Sequence, residues 1–256
     1  MPKNLLLYIL FFGFTSIKLI GQDIEPIQID RPDQTECPSI VPTHYIQIEN
    51  GLSFEKVDDI NSNFLYPSTL WKYGINENAE FRLITELISA RIADTTMSGL
   101  SPITIGFKAK ICEENGIIPK TSFIGHLTSP NWGSQEFEAC FFAPAFRFTM
   151  QHTLSEKVSL SYNLGAEWDG ETPEPKFIYT LTTGFSMTEK LGSYIELYGF
   201  VPKVQDADHR MDGGITYLIN NNLIIDLSGG IGLTENSPKY YYAFGLSYRF
   251  NTRKKM

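Results

Sequence analysis

The chain has 256 residues, 42% of them hydrophobic and 13% aromatic, with only three cysteines, so it is too apolar for a disordered polymer and too poor in cysteine for a disulfide scaffold. Its formal charge of −8 denies it the basic surface that nucleic acid requires. What composition leaves is an acidic, aromatic-rich, all-β protein.

Residues 1–21 open with Lys3 and run through Leu5-Leu6-Leu7-Tyr8-Ile9-Leu10-Phe11-Phe12. A positive start and a short apolar core are the layout of a secretory signal peptide, with cleavage expected after Gly21. Beyond Gln22 no apolar run reaches the ~18 residues of a spanning helix. A closed barrel is the other structure that satisfies its backbone in lipid, and its mark is alternation over strands of ~9–11 residues. The expected organisation is an N-terminal periplasmic segment over residues 22–42, a barrel over 43–250 and a tail over 251–256.

Alternation begins at residues 43–56, where Ile46, Ile48, Leu52 and Phe54 oppose Gln47, Glu49, Ser53 and Glu55. In 64–73, Leu65, Trp71 and Tyr73 oppose Ser68 and Lys72; in 79–90, Phe81, Leu83 and Leu87 oppose Glu80, Arg82 and Glu86. In 103–111, Ile105 and Phe107 oppose Gly106 and Lys108, and a short strand follows at 121–127. Residues 142–150 set Phe146 and Phe148 against Arg147, and 158–168 set Leu164 and Trp168 against Asn163 and Glu167. Four further runs, 177–185, 192–200, 211–219 and 223–231, place Thr180, Glu196, Asp212 and Asp226 opposite apolar neighbours. Last, 240–250 sets Tyr242, Phe244, Tyr248 and Phe250 against Ala243, Gly245, Ser247 and Arg249. Twelve such segments predict a closed antiparallel transmembrane β-barrel.

A soluble β-sandwich also alternates, and three features separate the two. The polar face is small and polar rather than generally charged, which suits a barrel interior. Aromatic residues gather near strand ends, as at Trp71, Tyr73, Trp168 and Tyr248, with aliphatic residues between them, as at the two water–lipid interfaces. Connections alternate in length: tight turns at 74–78, 155–157, 188–190 and 220–222, longer loops at 94–99, 129–139, 169–176, 201–209 and 234–239. Short periplasmic turns and longer extracellular loops are the outer-membrane pattern. The terminal run through Tyr248 and Phe250 resembles the aromatic signal read by barrel-assembly machinery.

The charges Glu49, Lys72, Glu80, Arg82, Glu86 and Lys108 from the first half of the chain would project into the lumen. So would Arg147, Glu167, Glu196, Asp226 and Arg249 from the second half. Two readings fit them: a solute path that selects by charge and hydrogen bonding, or a closed set of ion pairs that satisfies the interior.

Ahead of the first strand stands Ile29-Asp30-Arg31-Pro32-Asp33-Gln34-Thr35-Glu36-Cys37-Pro38. With Tyr73-Gly74-Ile75-Asn76-Glu77-Asn78, Gly99-Leu100-Ser101-Pro102 and Glu196-Leu197-Tyr198-Gly199-Phe200, it resembles the transporter-like outer-membrane proteins of Bacteroidetes filed with the "putative MetA-pathway of phenol degradation" barrels. Cys37 stands where that family has serine. The resemblance implies an outer-membrane barrel that passes small, aromatic or hydrophobic solutes. Asp30, Arg31, Asp33 and Glu36 of the entry motif are expected to fold into the periplasmic mouth and pair with Arg82, Arg147 or Arg249; the plainer alternative is a solvated leader.

No pattern calls for a cofactor. His44, His126, His152 and His209 are scattered, no nucleophile motif surrounds any serine, and Ser122 and His126 lie ~13 Å apart along a strand. No His or Cys pair has ligand spacing, and Cys37, Cys112 and Cys140 are expected as free thiols. Pro67, Pro102 and Pro144 fall within or at the starts of strands and mark bulges or boundaries. The expected function is therefore a non-enzymatic solute barrel exported to the bacterial outer membrane. Its partners would be lipid, a small solute and the assembly machinery. The alternatives are a non-conducting structural or binding barrel, or a secreted soluble β-protein.

Overall fold

A computed structural model describes residues 24–253. The signal-peptide expectation for residues 1–21 lies outside them, as does the end of the tail. The first strands are β1 (Tyr45–Lys56), β2 (Ser62–Asn76), β3 (Ala79–Ile92), β4 (Thr95–Leu100), β5 (Thr104–Cys112) and β6 (Lys120–Thr128). They are followed by β7 (Ala143–Ser155), β8 (Val158–Glu167), β9 (Lys176–Ser186), β10 (Leu191–Pro202), β11 (Asp208–Asn220), β12 (Leu223–Gly232) and β13 (Tyr240–Asn251). Every pairing between them is antiparallel.

The wall closes because β1 bonds both β2 and β13, from Tyr45↔Asn251 to Lys56↔Tyr240 on the latter side. No sheet edge then faces lipid with unpaired N–H and C=O groups. Strand β3 pairs with β5 along Ala79–Ile84 and with β4 along Leu87–Ile92, so β4 and β5 share one place in the wall. The barrel therefore has twelve strand positions.

Residues 94–99, expected as a loop, instead form most of β4. The chain turns back at Ala93-Asp94, with Ala93 at φ 52°, and β-branched Thr95 and Thr96 extend the β3 ladder past the lipid zone. Pro102 stands in the break between β4 and β5. Pro67 lies where the β2–β3 register shifts between Leu65 and Ser68, and Pro144 is accommodated near the start of β7, opposite Leu127.

Burial inverts that of a water-soluble sheet. Arg82 is 1% exposed and Lys108 0%, whereas Phe107 is 48% exposed and Leu227 53%. A sandwich would hide Phe107 and Leu227 between layers; here the single curved layer turns them outward and encloses the charges. Aromatic residues do occupy the strand ends, with Trp71 and Tyr73 at one rim and Tyr240 and Tyr242 at the other. They are not confined there. Phe107, Phe123, Phe146 and Phe148 form a mid-wall patch in contact with one another. Its centre is Gly125, opposite both Phe107 and Phe146, whose missing side chain leaves the outward space that the Phe107 ring covers.

Candidate functional site

Strands β1, β2, β3 and β5 cannot balance the interior charge they share. Lys72 and Arg82 lie directly opposite each other across β2 and β3, and like charges in that relation repel. With Lys108 of β5 they make three buried cations, against two buried carboxylates, Glu49 and Glu80. The missing carboxylate comes from the segment ahead of β1. Asp30 accepts Lys72 Nζ and Arg82 Nη1 at 2.9 Å on one oxygen and Lys108 Nζ at 2.9 Å on the other. Burial alone would raise the Asp30 carboxyl; the ammonium groups of Lys108 and Lys72 and the Arg82 guanidinium hold it well below the usual range.

The rest of that segment is threaded through the lumen and has no β-ladder, so its backbone polar groups need side-chain partners. The inward residues supply them. Glu49 accepts the N–H of Asp30 at 2.9 Å and of Arg31 at 3.2 Å. Glu196 accepts those of Gln34 and Thr35, both at 2.8 Å. Asn163 accepts from Glu36 N at 2.7 Å, and Glu80 accepts from Val41 N at 2.7 Å. Lys108 and Ser122 donate to the carbonyls of Cys37 and Pro38 at 2.8 and 2.6 Å. A segment without secondary structure is thus fixed by a ring of wall residues spaced around the barrel.

The segment enters at the short-turn end, where Arg249 donates to the Glu25 carbonyl at 2.6 Å. It rises to an apex at Arg31–Gln34 and descends to Pro42, whose carbonyl accepts from Tyr45 N at the start of β1. Glu36 on the descending limb meets Arg82 at 2.5 Å and Arg147 at 3.8 Å; burial raises its carboxyl, but the guanidinium groups of Arg82 and Arg147 together hold it below the ordinary value. Arg31 reaches Asp226 at 3.2 Å through a slot formed by Gly51 and Gly245, which lie opposite each other in β1 and β13. The entry motif therefore occupies the barrel interior, and the solvated-leader alternative is set aside. Of the three arginines expected to pair with it, Arg82 and Arg147 do; Arg249 instead binds the carbonyls of Glu25 and Asn221 and the Asn222 side chain.

All eleven charges assigned from the sequence face inward or line the loop-side rim. Glu167 sits near the rim, 3.4 Å from Arg147, and Glu86 accepts a bond from Ser68 at 2.7 Å. Eight of the eleven are ion-paired, and the threaded segment they help to hold is a plug with a cavity on each side. The cavity toward the long loops has about 410 Å³ and is lined by Glu55, Glu86, Tyr198, Arg210, Asp212 and Tyr241 above the Arg31–Gln34 apex. The other, about 390 Å³, lies at the short-turn end between Pro26, Val41, Lys110 and Arg249 and shares no lining residue with the first.

Tyr198, Arg210, Asp212 and Tyr241 were missed as site residues, although strand parity reveals them. Arg210 has the parity of Asp212, and Tyr241 that of Ala243, so both point inward. Ser122 and His126 are not brought together: Ser122 donates to Pro38 and His126 accepts from Arg82 Nε at 3.1 Å. Among the described residues Cys37, Cys112 and Cys140 are free thiols, and burial pushes that of Cys37 up to about 12.

A family model described as "Putative MetA-pathway of phenol degradation" matches residues 29–250, beginning inside the threaded segment and ending on the last strand. An outer-membrane channel from Pseudomonas putida F1 is 11% identical, with a TM-score of 0.63 over 87% of this chain and 100% of its own. The KdgM porin is 10% identical, with a TM-score of 0.53 over 80% of this chain and 99% of its own; for the NanC porin the values are 6%, 0.52, 79% and 98%. At such identities the likeness is one of fold. No curated protein matches the chain.

Proposed function

The chain belongs to the family described as the MetA pathway of phenol degradation, and on that premise we propose that it is an outer-membrane channel for a small solute, closed in this state by its own N-terminal segment. One observation carries the reading. The barrier between the two cavities is a strand-free segment held by ion pairs and side-chain hydrogen bonds, with no ladder to the wall. Such a plug can leave the lumen without breaking the barrel, whereas a purely structural barrel has no need of open space on both sides. The family description points to aromatic solutes, and the channel and porin names of the neighbouring folds support a non-enzymatic role. The partners this function requires are outer-membrane lipid, the assembly machinery during biogenesis and the solute.

A second reading, a non-conducting barrel, draws on the density of ion pairs around Asp30. Planar-bilayer recording on refolded protein separates the two. Deleting residues 24–37 is expected to raise unitary conductance at least several-fold over the intact chain. A deletion variant that keeps heat-modifiable gel mobility yet conducts no more than the intact chain would decide for the non-conducting barrel.

A further inference from the structure

The loop-side cavity gathers acidic groups that the protein leaves without ion-pair partners. Its two arginines are already engaged: Arg31 with Asp226 at 3.2 Å, and Arg210 with Glu55 and Asp208 at 2.9 and 2.5 Å. Its acids are not. Among the described residues Asp33, Glu86 and Asp212 have no ion-pair partner, nor has Glu196, which lies directly opposite Asp212 across β10 and β11. Glu196 is satisfied by donors of the plug apex and by Thr182. Asp212 is 4% exposed; one of its oxygens accepts the Tyr241 hydroxyl, and the other is buried on the side of the Glu196 carboxyl with no donor facing it.

A buried carboxylate oxygen without a partner, on the wall of an open cavity, is a group awaiting a donor. Asp33 at the apex tells the same story: enclosure within the barrel, with Glu196 and Asp212 adding to it, pushes its carboxyl well above the usual range, although part of its surface meets the cavity. The site favours positive charge. The carboxylates are not gathered for a metal, since among the described residues no group of three His, Cys, Asp or Glu side chains could hold one. Around them stand the rings of Tyr198 and Tyr241 and the apolar side chains of Leu65, Ile88 and Ala243. Aromatic faces and apolar walls suit a hydrocarbon body, and a cavity of about 410 Å³ fits a small molecule.

We infer that this vestibule is a binding site for a small organic cation, an aromatic or alkyl body bearing an ammonium group. The ammonium donates to Asp212 and Asp33 while the body lies against Tyr198, Tyr241, Leu65 and Ile88. The inference rests on the channel reading only in naming the solute class; the binding itself does not require conduction.

The test is equilibrium binding to the full chain in detergent by titration calorimetry, with three probes of one shape: 2-phenylethylamine, 2-phenylethanol and phenylacetate. The amine is expected to bind saturably, at least tenfold tighter than the alcohol and tighter still than the acid. Asp212→Asn and Asp33→Asn are each expected to weaken it at least tenfold without changing alcohol binding, Asp33→Asn lying outside the wall and so free of any folding effect on the strands. Amine affinity should fall as pH is lowered from 8 to 5, because protons compete for the same carboxylates. Equal affinity for amine and alcohol, or amine binding indifferent to both variants, overturns the inference: the acids then merely share protons. Conduction without amine binding removes the site and leaves the channel; amine binding without conduction removes the channel and leaves the site.

Discussion

At the scale of single residues, two aspartates three positions apart in one strand-free segment have opposite electrostatic fates. Asp30 is surrounded by Lys72, Lys108 and Arg82, and its carboxyl is held well below the ordinary 3.8; Asp33 is enclosed near Glu196 and Asp212, and its carboxyl is pushed well above it. A lowered group contributes stability that is present above 3.8 and lost as pH falls through its lowered folded value. A raised group contributes stability that is present below 3.8 and lost as pH rises through its raised folded value. The docked plug is therefore firmest on the acid side of neutrality and loosens toward alkaline pH. Channel openings in bilayers are expected to become more frequent as pH rises, and Asp33→Asn should remove that rise. Asp30→Asn leaves the buried cations Lys72, Arg82 and Lys108 short of one counter-charge, a disruption of the kind that costs about 3–5 kcal/mol, and should leave the channel open across the range. A wild-type open probability that does not change with pH would refute the assignment. The sequence pointed to acids in this motif but not to their division of labour, because which charges surround each aspartate depends on strands far along the chain.

At the scale of elements, the strands were legible and the plug only partly so. Alternation marked all twelve wall positions because period two is imposed locally by the pleat, and lipid on one side with charge on the other makes the contrast strong. β4 escaped because beyond the lipid zone nothing demands an apolar face, so Thr95 to Leu100 carry no alternation to read. The path of the segment ahead of β1 could not be read from period at all. One of its determinants is nonetheless written in glycines: Gly51 in β1 and Gly245 in β13 stand opposite each other, and a β-carbon at Gly51 would occupy the place of the Arg31 guanidinium, one at Gly245 that of the Asp226 carboxylate and Arg31 Nε. Gly51→Ala is therefore expected to dislodge Arg31 from Asp226 and raise conductance while the barrel still folds. Because both changes act on one contact, the Arg31→Ala, Gly51→Ala double variant should conduct no more than Arg31→Ala alone. Fully additive effects in that cycle would show that the slot does not hold the arginine.

At the scale of the whole molecule, the membrane determines the sign of every burial argument. Water lies inside and hydrocarbon outside, so the half-exposed Leu227, Phe244 and Ile215, neighbours across β12, β13 and β11, are the greasy belt of this barrel rather than a surface defect. The belt has depth: these three sit midway along their strands, while Ile219 lies next to the last residue of β11, at the short-turn rim. An arginine at the belt's centre must bring its guanidinium into hydrocarbon, at a cost of about 2–4 kcal/mol, whereas at the rim it reaches headgroups and water for about 0–1 kcal/mol. Leu227→Arg should thus destabilise the barrel by the larger amount and Ile219→Arg by the smaller, measured as equilibrium unfolding in phospholipid vesicles. A soluble protein with the same residues exposed would reverse the expectation, since both arginines would replace apolar groups already in water and neither would cost measurable stability. Equal and negligible penalties at the two positions would therefore remove lipid from the outer face, and with it the sidedness on which the lumen, its plug and its cation site depend.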